Sequence, residues 1–191
     1  MKINAGNIKK GEFLLHNGEV WQAVKAEFYS PGKGAALMRT SLKSLRTGKT
    51  LGYTFKSQES VEIVEVETKK LQYLYKDESF IHLMDPKNFE QYQLSLKAVD
   101  TLIAFLKEGE ILPVLLYEDQ PISLRPPKSV QLKVVKSEVG VKGDTVTSPR
   151  KSVTLETGAK VLAPLAIKEG DVIAVNPETG EYLQRVKVGK S

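Results

Sequence analysis

The residues best placed to do chemistry form a short run, Ser30-Pro31-Gly32-Lys33-Gly34, in which one lysine is enclosed by glycines. Pro31 sets its own φ for a turn, while Gly32 and Gly34 tolerate positive φ and place no side chain beside Lys33. The pattern predicts an isolated ammonium group at the tip of a hairpin, suited to reach a phosphate in a crowded site. An ordinary solvent-exposed turn explains the same residues, and the alternative stays open.

The segments on either side of this turn carry further cations. They are Lys25, Arg39, Lys43 and Arg46, with Glu27 as the only acid nearby. A strand of about eight residues rises ~26 Å, so a hairpin of this length extends beyond a small barrel. These four cations are candidate RNA contacts, because such an arm can follow a phosphate backbone.

Catalytic and metal chemistry find little support in the sequence. There is no cysteine, and the two histidines, His16 and His82, lie far apart without nearby carboxylates at metal-ligand spacing. No phosphate-binding loop is complete, since Gly48-Lys49-Thr50 lacks the glycine five positions before Gly48. We therefore expect a binding protein without a cofactor; an enzyme ranks last because no reaction is specified.

Short strands separated by turn residues account for most of the chain, which predicts an all-β fold. The predicted strands are Phe13–Leu15, Glu19–Glu27, Ala36–Lys43, Thr50–Phe55, Val61–Val66, Lys70–Lys76, Ser79–Met84, Ile111–Tyr117, Ile122–Leu124, Val130–Val135, Val153–Leu155, Lys160–Pro164, Val172–Val175 and Tyr182–Val188. One segment, Leu94–Leu106, has apolar residues at helical spacing and predicts a short helix that ends before Gly109.

Two breaks divide the chain into three consecutive small β-barrels, predicted at residues 1–64, 65–127 and 128–191. The first break is the charged stretch Glu65–Lys70, and the second is Pro126-Pro127, which neither strand nor helix accommodates. The net charges of the three ranges are +5, −4 and +4. Two basic ends around an acidic middle favour contact with a polyanion at both ends, although chance differences between short domains explain the charges equally well.

The apolar runs are of strand length, far below the ~18–20 residues of a membrane span. The N-terminal residues also lack the apolar core of a secretory signal. The sequence therefore predicts a cytoplasmic protein without membrane contact, and we expect a monomer.

Four sequence blocks, in order, resemble bacterial translation elongation factor P. They read SPGKG followed by SLKSLRTGKTLGYTF, then LQYLYKDESFIHLMDPKNFEQY, and then VKGDTVTSPRKSVTLETGAKVLAPLAIKEGDVIAVNPETGEYLQRV. The resemblance extends from about Lys2 to Lys187. It implies an SH3/KOW-like first barrel and two OB-fold barrels, arranged in an L shape similar to tRNA.

The resemblance also implies a function in translation. Members of this family bind both ribosomal subunits between the P and E sites, stabilise P-site peptidyl-tRNA and relieve stalling at consecutive prolines. By the same resemblance Lys33 approaches the peptidyl-transferase centre beside the tRNA CCA end. A lysine-modifying enzyme extends this residue in many relatives, for example by lysylation.

The resemblance assigns further contacts to the third barrel. Gly143, Asp144 and Thr145 match a loop that faces the exit-site codon, and Tyr182 and Arg185 match positions on the small-subunit side. An edge-of-core tyrosine and a solvated arginine remain the alternative for the last two. The alternative function for the whole chain is a general single-stranded nucleic-acid-binding protein of OB folds, which requires aromatic side chains exposed on a barrel face.

Overall fold

The computed structural model describes residues 1–99, 101–139 and 149–187 of the chain. Within these residues the protein forms sixteen β-strands in three antiparallel sheets, and the only helices are single turns of 3-10 type. The predicted all-β class is therefore confirmed. Among the described residues, none of the helical turns is long and apolar enough to cross a membrane.

The first sheet contains six strands in the order β1-β6-β2-β3-β4-β5. The strands are β1 (Lys2–Asn4), β2 (Phe13–His16), β3 (Glu19–Tyr29), β4 (Leu37–Ser44), β5 (Thr50–Lys56) and β6 (Ser60–Val64). Burial alternates along β4, as the period of two in a strand requires. Met38 and Leu42 face inward and join Leu14 and Phe55 in the core, whereas Arg39 faces outward.

The second sheet contains five strands in the order β11-β10-β7-β8-β9. The strands are β7 (Glu67–Lys76), β8 (Phe80–Met84), β9 (Gln91–Ser95), β10 (Ile111–Tyr117) and β11 (Gln120–Leu124). The edge strands β9 and β11 contact each other, so the sheet curls towards a barrel. Its interior is filled by fully buried aliphatic side chains, among them Leu71, Ile81, Leu83 and Val114.

The third sheet repeats this five-stranded arrangement in the order β14-β13-β12-β15-β16. The strands are β12 (Val130–Ser137), β13 (Arg150–Leu155), β14 (Lys160–Pro164), β15 (Val172–Val175) and β16 (Tyr182–Val186). The outer strands β14 and β16 contact each other, and Val134, Val153, Leu155 and Ile173 form the centre of the core.

Each predicted strand overlaps an observed one, and two observed strands, β1 and β9, have no predicted counterpart. Both are short strands at the edge of a sheet. β9 contains Gln91 and Gln93, which are both exposed. Its sequence therefore lacks the apolar content by which the other strands are predicted.

The chain packs as two compact units. One contains Met1–Val99 and Ile111–Leu124, hence the first and second sheets, and the other contains the third sheet together with residues 101–110. Each sheet is built from one of the predicted ranges 1–64, 65–127 and 128–191. The division into three domains at those boundaries stays a prediction.

The helix predicted over Leu94–Leu106 is wrong. The end of β9 is followed by two separate 3-10 turns, Leu96–Ala98 and Ile103–Phe105. The apolar residues of the segment serve two different cores, because Val99 is buried in the first unit whereas Phe105 joins the core of the third sheet. An amphipathic helix buries one stripe against one core, and this segment instead passes from one unit to the other.

A single carboxylate fastens the turn between β7 and β8. Asp77 Oδ1 accepts the backbone N–H groups of Ser79 and Phe80, each at 2.8 Å, and Asp77 Oδ2 lies 2.6 Å from His82 Nε2. The imidazole of His82 stacks on the Tyr75 ring at a centroid distance of 4.3 Å. The His82 hydrogen bond, followed by the two backbone donors, lowers the pKa of Asp77 from 3.8 to about 2.

We expect Asp77→Asn to remove a pH-dependent part of the stability. Because folding depresses the pKa of Asp77, its contribution is fully present above the unfolded pKa of 3.8 and is lost as pH falls towards about 2. Urea unfolding between about pH 6 and pH 2 measures this contribution. The variant should unfold at lower urea than the wild type near pH 6, and the two should converge near pH 2. If the difference in unfolding urea concentration between the variant and the wild type stays constant with pH, the assignment is wrong.

Candidate nucleic-acid interface

The turn that contains Lys33 connects two long, paired strands. β3 has 11 residues and β4 has 8, and their last pair places Tyr29 opposite Leu37. Between them, Ser30 and residues 32–35 are exposed and Pro31 is half-buried. The hairpin therefore presents its connecting turn to solvent.

The two glycines that flank Lys33 have different conformations. Gly34 has a φ of +108°, a value that L side chains rarely adopt, whereas Gly32 does not lie in the positive-φ region. A Cβ built on Gly32 would meet no atom within 4 Å. Gly34 is thus the glycine that the turn requires, and the sequence alone does not distinguish the two.

The Lys33 side chain lies in this exposed turn without a charge partner among the described residues. None of the ion pairs found in the described part of the chain includes Lys33. An ammonium group in this position is hydrated and free to pair with an external anion.

Three of the four predicted RNA-contacting cations share one face of the hairpin. Arg39 and Lys43 alternate with Ser41 along β4, and Lys25 lies directly opposite Ser41 on β3. Residues opposite each other in an antiparallel pair point to the same side of the sheet, and so do alternate residues of one strand. Lys25 reaches this register through a bulge between Ala23 and Lys25. We call Lys25, Arg39 and Lys43 the basic face.

The basic face contains one acid, Glu27. Its Oε1 lies 3.3 Å from Lys25 Nζ, and both side chains are more than half exposed. The pair neutralises one cation locally, and Arg39 and Lys43 are the charges of the face that no ion pair of the described residues balances.

Arg46 lies apart from the basic face. It follows β4 in the turn to β5, and its Nη2 lies 2.8 Å from Glu19 Oε1 at the start of β3. Arg46 therefore closes the end of the hairpin opposite Lys33, with its charge already paired.

One aromatic residue of this face was missed by the sequence reasoning. The guanidinium carbon of Arg39 lies 4.3 Å from the centroid of the Tyr29 ring, and Tyr29 remains 43% exposed. The signal was available in the sequence, because Tyr29 alternates with Glu27 and Lys25 on β3 and so belongs to their face.

Two predicted residues of the third sheet, Tyr182 and Arg185, have internal partners. Tyr182 is half-buried and packs against the core of that sheet, and Arg185 Nη2 donates to Asp171 Oδ1 at 2.8 Å. Gly143, Asp144 and Thr145 lie outside the described residues.

Neither histidine lies in a metal-binding cluster formed by described residues. His16 packs against aromatic rings, at centroid distances of 4.4 Å from Tyr53, 5.8 Å from Phe55 and 6.2 Å from Trp21. In the ranges that the structure describes, no group of three or more His, Asp or Glu side chains is arranged to hold a metal ion.

Three family models match successive parts of the chain. They are the elongation factor P KOW-like domain over residues 4–61, the elongation factor P OB domain over residues 66–124 and the elongation factor P C-terminal domain over residues 130–185. These matches agree with a KOW-like first sheet and OB-like curled sheets after it.

Curated relatives match over almost the full length. Elongation factor P of Finegoldia magna is 38% identical over 184 residues, and that of Alkaliphilus metalliredigens is 40% identical over 184 residues; both matches cover 96% of this chain and 100% of the relative. Among solved structures, eukaryotic translation initiation factor 5A from Methanococcus jannaschii aligns with a TM-score of 0.52 at 19% identity. The alignment covers 65% of this chain and 92% of that chain, and at this identity it indicates a shared fold alone.

Proposed function

The chain belongs to the elongation factor P family, and on that premise we propose that it binds the ribosome between the P and E sites and promotes peptide-bond formation at consecutive prolines. Membership makes it a non-enzymatic translation factor that interacts with the ribosome. The finer assignment, including the contact with P-site peptidyl-tRNA, is the proposal.

One observation carries this proposal: an exposed Lys33 without an ion-pair partner among the described residues, at the turn of a hairpin whose arms form a basic face. In the proposed complex the basic face lies along the acceptor end of the P-site tRNA and neutralises its phosphates. Lys33 then reaches the CCA end beside the peptidyl-transferase centre. Placing the cation on a folded hairpin restricts its position before binding, which reduces the entropy lost on binding.

The chemistry of the proposed reaction is supplied by the ribosome. Proline is a conformationally restricted donor and acceptor, so the reacting groups spend little time in a productive geometry. Holding the peptidyl-tRNA end in place converts a poorly aligned step into an aligned one, an effect that needs no catalytic side chain from this chain. The ammonium of Lys33 contributes electrostatic stabilisation near the RNA.

Lys33 is also the proposed site of modification. Its exposure in the turn leaves room for a modifying enzyme to reach Nζ, and an extension that retains a positive charge lengthens the reach of the cation. Intact-mass and peptide mass spectrometry of the protein from its own host tests this assignment, since an added mass confined to Lys33 is required.

The third sheet is proposed to face the small subunit. Because Arg185 is already bound to Asp171, a phosphate contact would share a guanidinium whose orientation that carboxylate fixes. Tyr182 exposes less surface for an RNA contact, since it packs on the core. We assign the exit-site contact to Gly143, Asp144 and Thr145 by their match to the family motif.

A reconstituted translation system tests the function directly. The wild-type protein should increase full-length product from a reporter with three consecutive prolines and leave a matched reporter with three alanines unchanged. Equal stimulation of both reporters, or of neither, would contradict the proposal.

General single-stranded nucleic-acid binding is the second candidate, and one observation favours it. Single-stranded nucleic-acid binding requires exposed aromatic side chains, and on the second sheet Tyr75 is 51% exposed and Phe80 is 39% exposed. It predicts tight binding to free oligonucleotides with no preference between the proline and alanine reporters.

The different conformations of Gly32 and Gly34 give a matched pair of variants. A side chain in the left-handed region costs about 1–2 kcal/mol, so Gly34→Ala shifts the turn away from the conformation that presents Lys33. We expect Gly34→Ala to reduce stimulation of the proline reporter severalfold and Gly32→Ala to leave it near the wild-type level. Equal effects of the two substitutions would contradict the role given to the turn conformation.

A further inference from the structure

The side of the β3–β4 hairpin that carries the basic face also carries an arginine stacked on a tyrosine ring. Tyr29 and Arg39 occupy diagonal positions, since Arg39 lies opposite Glu27 and Tyr29 lies two residues further along β3. The Arg39 guanidinium carbon is 4.3 Å from the Tyr29 centroid. Tyr29 is four residues from Lys33, so the pair borders the turn.

Arg39 stacks on the ring although a carboxylate lies directly opposite it. Glu27 Oε1 is instead 3.3 Å from Lys25 Nζ. No ion pair within residues 1–99, 101–139 and 149–187 includes Arg39. A stacked guanidinium keeps its N–H donors in its own plane, where they can bind a phosphate or the edge of a base.

We propose that Tyr29 and Arg39 form a binding site for one unpaired nucleotide of RNA. The base stacks on the pair, and the N–H groups of Arg39 donate to its phosphate. Unpaired bases are bound in this way by exposed aromatic rings and arginine planes. Lys25 and Lys43, on the same face, lie where the flanking phosphates would pass.

Charge complementarity selects RNA over a peptide as the occupant. The face has three cations against one carboxylate, which is itself paired, and an apolar or basic peptide gains nothing from it. An acidic peptide could match the charges but would leave the flat stacked surface without a planar partner. The inference deepens the proposed function, on which it rests for the RNA that reaches the site in the cell.

The site can be tested without a ribosome, by NMR titration of the intact protein with a single-stranded RNA hexamer. The side-chain resonances of Tyr29 and Arg39 should shift in the wild type. Tyr29→Phe, which keeps the ring, should bind as the wild type does. Tyr29→Leu should bind about tenfold more weakly, because it removes the aromatic ring on which the base stacks.

Two controls separate stacking from folding and from charge. Phe28 is 58% exposed at the adjacent position of β3, where side chains point to the other face, so Phe28→Leu should leave RNA affinity unchanged. Arg39→Gln should reduce the slope of log affinity against log salt by about one, whereas Tyr29→Leu should leave that slope unchanged.

Three results would overturn the site: no shift of Tyr29 and Arg39 with RNA, equal affinity of Tyr29→Leu and the wild type, or equal binding of a hexaglutamate peptide at the same resonances. The proposed function is tested by a different experiment, the response of the proline reporter. If the proline reporter does not respond to the protein while the hexamer still binds Tyr29 and Arg39, the site stands and the ribosomal role does not.

Discussion

Replacing Lys33 with alanine is expected to abolish the stimulation of the three-proline reporter while leaving the fold intact. Lys33 is exposed and makes no internal ion pair in the described structure, so its removal deletes no buried side chain and breaks none of these ion pairs. The side chain would be needed only where the proposed function places it, beside the tRNA end. Misplacement of a positioning group costs up to about a hundredfold in rate, so we expect a loss of at least tenfold. Reconstituted translation of the proline and alanine reporters measures it.

The same sheet provides a matched control for Lys33→Ala. Lys49 is also an exposed lysine that follows a glycine in a turn, and Gly48 has a φ of +70°. Lys49→Ala removes the same charge from the same sheet and should leave the reporter unaffected. Lys33→Arg keeps a cation and removes the amine that a modifying enzyme uses, so it separates the need for charge from the need for modification. If Lys33→Ala stimulates the proline reporter as much as the wild type does, the proposed role of Lys33 and its turn in translation is wrong.

The local part of the site was predictable because it depends on residues adjacent in sequence. A proline and two glycines around Lys33 specify an exposed turn between strands, and the structure places Lys33 in such a turn. Alternation along β4 was also sufficient to place Arg39 and Lys43 on one face. The distinction between Gly32 and Gly34 was not predictable, because both residues tolerate either sign of φ.

The pairing between strands was harder to predict. The bulge between Ala23 and Lys25 shifts the register of β3, and the position of Lys25 opposite Ser41 depends on it. Arg46 illustrates the same limit, since its ion pair with Glu19 joins residues that are distant in sequence. Arg39 could have paired with Glu27 or stacked on Tyr29, and side-chain geometry decided between them.

Long-range packing explains why the helix prediction over Leu94–Leu106 is wrong. Apolar residues at helical spacing over Leu94–Leu106 are indistinguishable, in sequence, from residues that supply two cores in turn. The destination of Phe105 is a core built from strands that begin at Val130. No local pattern encodes that destination, so the sequence predicts one helix of the middle domain.

Phe105→Ala is expected to destabilise the unit that contains the third sheet by about 3–5 kcal/mol, the usual cost of removing a buried phenylalanine. Phe105 is 8% exposed and belongs to the core cluster with Val153 and Leu155. Its ring also lies against the turn after β15, since a Cβ added to Gly180 would lie 3.4 Å from Phe105 Cζ. Deletion of the ring therefore opens a cavity among residues from several strands.

Hydrogen exchange resolved by peptide is the appropriate measurement, because Trp21, the only tryptophan, lies in the first sheet and does not report on the third. Exchange in β13 and β15 should accelerate by about a hundredfold or more in Phe105→Ala, with little change in β3 and β4. Phe89→Ala, which removes a ring that is 69% exposed, should change exchange in neither pair of strands.

A pair of fragments tests the same contribution of residues 101–110. A fragment of residues 128–191 lacks Phe105, and its backbone amides should exchange faster than those of a fragment of residues 100–191. If the two fragments and the two variants behave alike, residues 101–110 contribute nothing to the third sheet, and the predicted boundary at 127/128 marks the true limit of the folding unit.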